Sequence, residues 1–244
     1  VTGLAPAAQA DTVIATVPVG ANPRGVAITP NGDRAYVTNN VDDTVSVIET
    51  ASNTVIGAPI PVGSFPSAVA ITPNGDRAYV TNFGGSVSVI ETAGNTVIGA
   101  PIPVGIAPLG VAITPNGDRA YVTNSGGNSV SVIDTATNTV TNTVTVGTVP
   151  FAVAITPTGD RAYVTNYYDN SVSVIETATN TVIGAPIPVG IAPIGVAITP
   201  NGDRAYVTNN GGNSVSVISI SSGCTGSLCS SGSSGSSGSS WTGS

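Results

Sequence analysis

Thirteen carboxylates, six Arg and two Cys are nearly all that this 244-residue chain offers for acid–base, nucleophilic or ligand chemistry, because it contains no His and no Lys. A Ser-His-Asp or Cys-His constellation is therefore impossible, and the usual neutral-pH base is missing. A phosphate loop ending in Lys is likewise excluded. The charged residues that recur do so as Asp-Arg pairs: Asp33/Arg34, Asp76/Arg77, Asp118/Arg119, Asp160/Arg161 and Asp203/Arg204. Each sits where a turn meets a strand, so Asp is read as finishing the turn and Arg as starting the strand and pairing locally, an exposed pair worth roughly 0–1 kcal/mol. Asp42-Asp43 and Asp169-Asn170 supply too few oxygens for calcium, and Cys224 and Cys229 lack the further ligands that zinc needs. No metal, no cofactor and no catalytic residue is assigned on this reading.

These pairs lie inside a longer repeat. The stretch Val26–Asn39, VAITPNGDRAYVTN, returns at Val69–Asn82, Val111–Asn124, Val153–Asn166 (with Thr158 in place of Asn) and Val196–Asn209, at spacings of 43, 42, 42 and 43 residues. A period in this range marks a propeller or a solenoid array. Each unit divides into four strand candidates, a to d: in the first unit Gly25–Thr29, Arg34–Thr38, Thr44–Ile48 and about 54–62. Asn-Gly turns separate a from b. Pro59 and Pro61 place strand d at the outer edge, since proline cannot donate to a ladder. The d strand of the third unit, Thr139–Val146, has no proline and offers an edge on which another chain could add a strand, a route to a homo-oligomer.

Such meanders cannot bury their faces alone and must stack as blades. The last unit stops after its c strand, whereas residues 11–20, DTVIATVPVG, resemble a spare d strand. Joined, they complete one blade. The expected fold is all-β: a five-bladed β-propeller of four-stranded antiparallel blades over residues 11–220, closed by the N-terminal strand. Residues 1–10 read as a leader or signal-peptide remnant ending in the small-x-small triplet Ala8-Gln9-Ala10. Residues 221–244 read as a Ser/Gly-rich flexible tail, with Cys224 and Cys229 forming a small disulfide loop in an oxidising compartment.

The motif Tyr36-Val37-Thr38-Asn39, preceded by ITPNGDR and followed by VSVIET, NTVI and PVG, closely resembles the YVTN family of β-propeller repeats. The resemblance covers about residues 11–218. It implies a propeller fold and points to exported bacterial or archaeal surface proteins, with lactonase-like enzymes among related propellers. Family propellers usually have seven blades, and five units are present here.

What differs between copies points to function. The a–b and c–d turns scarcely vary, whereas the d–a and b–c connections, which share one face of a meander, vary most. All three Phe, at positions 65, 83 and 151, and the two Tyr outside the motif, Tyr167 and Tyr168, fall there. Phe65, Phe83, Phe151, Tyr167 and Tyr168, with Arg24, Asp42, Asp43, Asp169 and Asn170, form the candidate ligand-binding set: rings to stack and polar groups to orient. The repeated Tyr36 and Asn39 positions read instead as interblade packing and turn-holding groups.

The net charge of −7 and absence of Lys exclude nucleic acid and anionic membranes as partners. No apolar run reaches the length of a membrane span. The expectation from these features is a secreted or cell-surface, non-enzymatic binding or adhesion module recognising a glycan or protein. A structural subunit of a surface layer or filament is the alternative, and a lactonase-like hydrolase the third reading.

Overall fold

The computed structural model describes residues 11–221; the leader reading, the Cys224/Cys229 disulfide and nearly all of the Ser/Gly tail fall outside them. The described chain is all-β apart from one 3-10 turn at Asn210–Gly212, and its strands form five separate antiparallel sheets in sequence order. In the first, strand a (Pro23–Ile28) pairs with b (Arg34–Asn39), b with c (Thr44–Glu49), and c with an outer d.

Strand d departs from the expected continuous run. In units one, two and four it is two short pieces, as at Thr54–Val55 and Ile60–Pro61, interrupted where Gly57 takes a φ of 70°. Only the proline-free d strand of unit three runs unbroken, over Thr139–Thr145. Strand a carries a bulge in every unit, between Pro23 and Val26 in the first, which brings the residue after proline to the d–a/b–c side.

The blades pack through the YVTN strand. Tyr36, Val45, Val47 and Ile60 of the first blade bury against Val69, Ala78, Val80 and Ile90 of the second. The same mating recurs between blades two and three, three and four, and four and five. The period-two alternation of strand b is what allows this, since in the second blade Ala78 and Val80 face one neighbour while Tyr79 faces the other. Each fully buried Val contributes about 1.5–3 kcal/mol over an exposed one. Tyr36 Oη also donates to Asn95 Oδ1 at 2.6 Å in the next blade.

The Asp-Arg pairs divide their work differently from the expected local pairing. Asp33 closes its turn with Asn31, its N–H donating to Asn31 Oδ1 and its carboxylate accepting from Asn31 Nδ2. Arg34 instead crosses the blade interface, donating through Nη1 to the Thr92 carbonyl. Arg77 reaches Thr135 O, Arg119 reaches Thr177 O and Arg161 reaches Ser221 O in the same way. Asp33 already has its turn amide partner, and the long guanidinium stem spans to a carbonyl that otherwise has only the longer bond from the Tyr36 hydroxyl, at 3.3 Å.

The expected clasp is not formed. Residues 11–19 carry no strand, Val13 and Ile14 are 86% exposed, and the fifth sheet has three strands, Pro193–Ile198, Arg204–Asn209 and Ser214–Ser219. The reason is that the first and fifth blades do not meet: Val26 of the first and Val215 and Val217 of the fifth are more than half exposed. Gly20 N donates to Asn39 Oδ1 and Ala21 N to Asp42 Oδ2, both in the first blade. The open c-strand edge belongs to the fifth.

Candidate functional site

The d–a and b–c connections form one face by direct bonding: Asn40 N donates to Asn22 O and Val41 N to Ala21 O in the first unit, with equivalents in the others. Below this face lies a row of buried asparagines. Asn39 is fully buried and donates through Nδ2 to Thr44 Oγ1 and Ser46 Oγ. These bonds run to strand-c hydroxyls rather than to the turn backbone expected from sequence, and Asn124 repeats the pattern with Ser129 and Ser131. The threonines beside them tie blade to blade: Thr38 Oγ1 donates to Ser67 O at 2.9 Å, and Thr123 Oγ1 to Phe151 O at 2.8 Å. So close an approach of inner strands needs small residues, since a Cβ on Gly25 would lie 2.6 Å from Ser67 O.

The carboxylates and amide named from sequence are engaged in holding this face. Asp42 Oδ2 accepts from Ala21 N and Asp169 Oδ2 from Thr148 N, both at 2.6 Å. Asp43 Oδ1 accepts from Phe65 N at 2.7 Å, and Asn170 Oδ1 from Ala192 N at 2.8 Å. Asp43 and Asn170 thus fix the residue that precedes a d–a proline, and Asp42 and Asp169 the residue before it. In all five units the residue that precedes this proline is left-handed: Asn22, Phe65, Ala107, Val149 and Ala192 all have φ of 54°. For Phe65 and Val149 this is a strained conformation, costing on the order of 1–2 kcal/mol.

The strain sets Phe65 outward. Phe65 (52% exposed) and Phe83 (47% exposed) join Arg24 and Asn40 in lining a pocket of about 270 Å³ between blades one and two. Asn40 escaped the sequence reading, and its signal was the Asn39-Asn40 doublet shared only with Asn209-Asn210. Its Nδ2 donates to Pro66 O at 3.0 Å, so it buttresses the wall across the blade junction. Arg24 differs from the interblade arginines: among the described residues none bonds its guanidinium. The pocket therefore joins one cation to two apolar rings.

The remaining aromatics gather in blade four. Phe151 and Tyr167 have ring centroids 6.5 Å apart at 32°, and Tyr167 meets Tyr168 edge-on at 5.1 Å. The structure thus divides the sequence-derived set into two groups, Arg24/Phe65/Phe83 and Phe151/Tyr167/Tyr168, with Asp42, Asp43, Asp169 and Asn170 supporting the loops beneath them.

Elsewhere, three pockets repeat between the a–b turns, the first of about 540 Å³ and lined by Asn31, Asp33, Arg34, Asn74 and Asp76. Among the described residues, no cluster of three or more carboxylate or thiol groups could hold a metal ion, and no helix is long and apolar enough to cross a membrane.

Among solved structures, the chain is similar to hydrazine synthase of Kuenenia stuttgartiensis, at 27% identity and a TM-score of 0.73 over 84% of this chain. It spans 58% of that protein's chain. It also resembles a functionally unknown protein of Desulfotomaculum acetoxidans DSM 771, at 25% identity and a TM-score of 0.71, covering 83% of this chain and 67% of the other. No curated protein matches it. The family model described as lactonase, 7-bladed beta-propeller matches residues 5–183. That match overturns the expected non-enzymatic adhesion or surface-layer role, which leaned on the missing His; a carboxylate and a guanidinium can serve ester hydrolysis without one. It supports the propeller reading in general form, with a β-propeller family other than the one the motif resembles. The chain belongs to the lactonase family of seven-bladed β-propellers.

Proposed function

We propose that this protein is a lactonase-like hydrolase that opens a small cyclic ester in the pocket of Arg24, Asn40, Phe65 and Phe83. The family match carries this reading, and the pocket supports it because its groups suit the substrate. The two phenyl rings hold the apolar part of a lactone ring. Arg24 faces the ester carbonyl, where its charge stabilises the oxyanion that develops as water adds; losing such a donor costs about 10²–10³ in rate.

Asp42 and Asp43 stand two and three residues after Asn40 in the chain, and Asp43 holds the amide of Phe65 in the pocket wall. Asp42 uses Oδ2 to hold the Ala21 amide, and its other oxygen accepts a proton from the attacking water. The water oxygen bonds to the carbonyl carbon, the ring C–O bond breaks, and the proton passes to the departing alkoxide. The product is a hydroxy acid whose carboxylate pairs with Arg24.

The test is turnover of aliphatic and aryl γ- and δ-lactones by pH-stat. Arg24→Gln should lower kcat/KM about 100-fold with the fold intact, Asp42→Asn should lower kcat, and Phe83→Ala should raise KM. Hydrolysis no faster than in buffer across this series would end the proposal.

A further inference from the structure

The four blade junctions all mate the same two surfaces, and one copy of each is left open at the ends of the array. Within the array Val69 is 8% exposed, but its first-blade equivalent Val26 is 65% exposed. Val45 and Val47 are buried, whereas their fifth-blade equivalents Val215 and Val217 are 54% and 55% exposed, and Tyr206 is 39% exposed where Tyr36 is fully buried. The two open faces are therefore the two halves of one interface. They are not in contact with each other.

Two further groups are poised for the same missing neighbour. The c strand Ser214–Ser219 has an unpaired edge, where blades one to four carry a d strand. At the other end, Gly20 N donates to Asn39 Oδ1 as Gly105 N donates to Asn124 Oδ1, so Gly20 stands where the d strand of a preceding blade enters the next one. Residues 11–19 are that strand without its sheet.

We propose that the two ends of the array form one docking site, filled by a segment contributing two further blades of the same repeat. Two blades bring the five sheets seen here to the seven of the family. The order of elements is set by the ends: a d strand for blade five, one whole blade, then strands a to c of a second blade whose d strand is residues 11–19. Tyr206 would donate to the incoming Asn that corresponds to Asn95, and Arg204 to the carbonyl that corresponds to Thr92 O, as their equivalents do at the first three junctions. At the far side the incoming Tyr would donate to Asn53 and cover Val26 and Val37.

Residues 53–134 of this same chain have that order of strands and make a suitable probe. Added to the full chain, they should bind one to one, lower the fluorescence of a hydrophobic dye on the chain, and slow amide deuterium uptake in residues 26–28 and 214–219 at least tenfold. Val217→Arg should abolish these changes, and Val41→Arg, on a b–c loop, should not. Where 53–134 does not fold unaided, the segment fused after Ile220 must produce the same protection. The proposal is overturned if neither form protects the ends. It is equally overturned if the chain alone already protects both ends at low concentration, by closing on itself, or protects them only as its own concentration rises, by pairing with a second copy.

Discussion

Tyr36 Oη donates a hydrogen bond to Asn95 Oδ1 at 2.6 Å across the junction of blades one and two, and Tyr79 does the same to Asn138 at 2.7 Å across the next. Residues some sixty positions apart in sequence are thus joined by one repeat motif, because the YVTN tyrosine of blades one, two and three points at the c–d turn of the following blade.

Removing that hydroxyl should loosen a junction without emptying it. Tyr79→Phe keeps the buried ring and leaves Asn138 Oδ1 without its donor, at a cost of about 1–2 kcal/mol. Urea unfolding followed by far-UV circular dichroism should show a lower midpoint. An unchanged midpoint would mean that packing alone holds the blades.

Alkaline pH should weaken the same junctions. Burial raises the phenols of Tyr36, Tyr79 and Tyr121 above their ordinary value of 10.0, outweighing the lowering effect of Arg34, Arg77 and Arg119. An unfolded tyrosine then loses its proton first, so above pH 10 the unfolded state binds fewer protons and stability falls with rising pH. Urea midpoints should be level up to about pH 9.5 and decline beyond it, with less decline in Tyr79→Phe.

The left-handed residue before each d–a proline invites a stabilising change. Val149 is β-branched with φ of 54°, whereas Asn22 fills the same position in the first unit with a residue suited to it. Val149→Asn should raise stability by about 1 kcal/mol, read as a higher melting temperature. A lower one would show that the valine side chain contributes more in packing than its backbone costs.

The glycine that ends each d strand should tolerate no side chain. A Cβ on Gly105 would lie 2.5 Å from Asn124 Cγ, and Asn124 is fully buried and bonded to Ser129 and Ser131. Gly105→Ala should destabilise by about 2–3 kcal/mol, through overpacking and a disturbed buried amide. Gly32→Ala, where nothing lies within 4 Å and φ is 80°, should cost less, about 1 kcal/mol of backbone strain alone.

Repeat period, Asn-Gly turns and period-two alternation were enough to locate every a, b and c strand, because these depend on local sterics and on which side of a strand is apolar. The clustering of irregular aromatics on the d–a/b–c face was also legible, since a meander places those two connections together whatever its packing. What local pattern could not contain was distance between units. That Arg34 would cross to Thr92 rather than pair with Asp33, that Arg24, Asn40, Phe65 and Phe83 would share one pocket, and that Asp43 would hold the Phe65 amide all depend on how one blade sits on the next. The N-terminal segment shows the limit most plainly. Residues 11–19 have the composition of a d strand, but a strand needs a partner edge within hydrogen-bonding reach, and the open edge lies on the fifth blade, which does not meet the first.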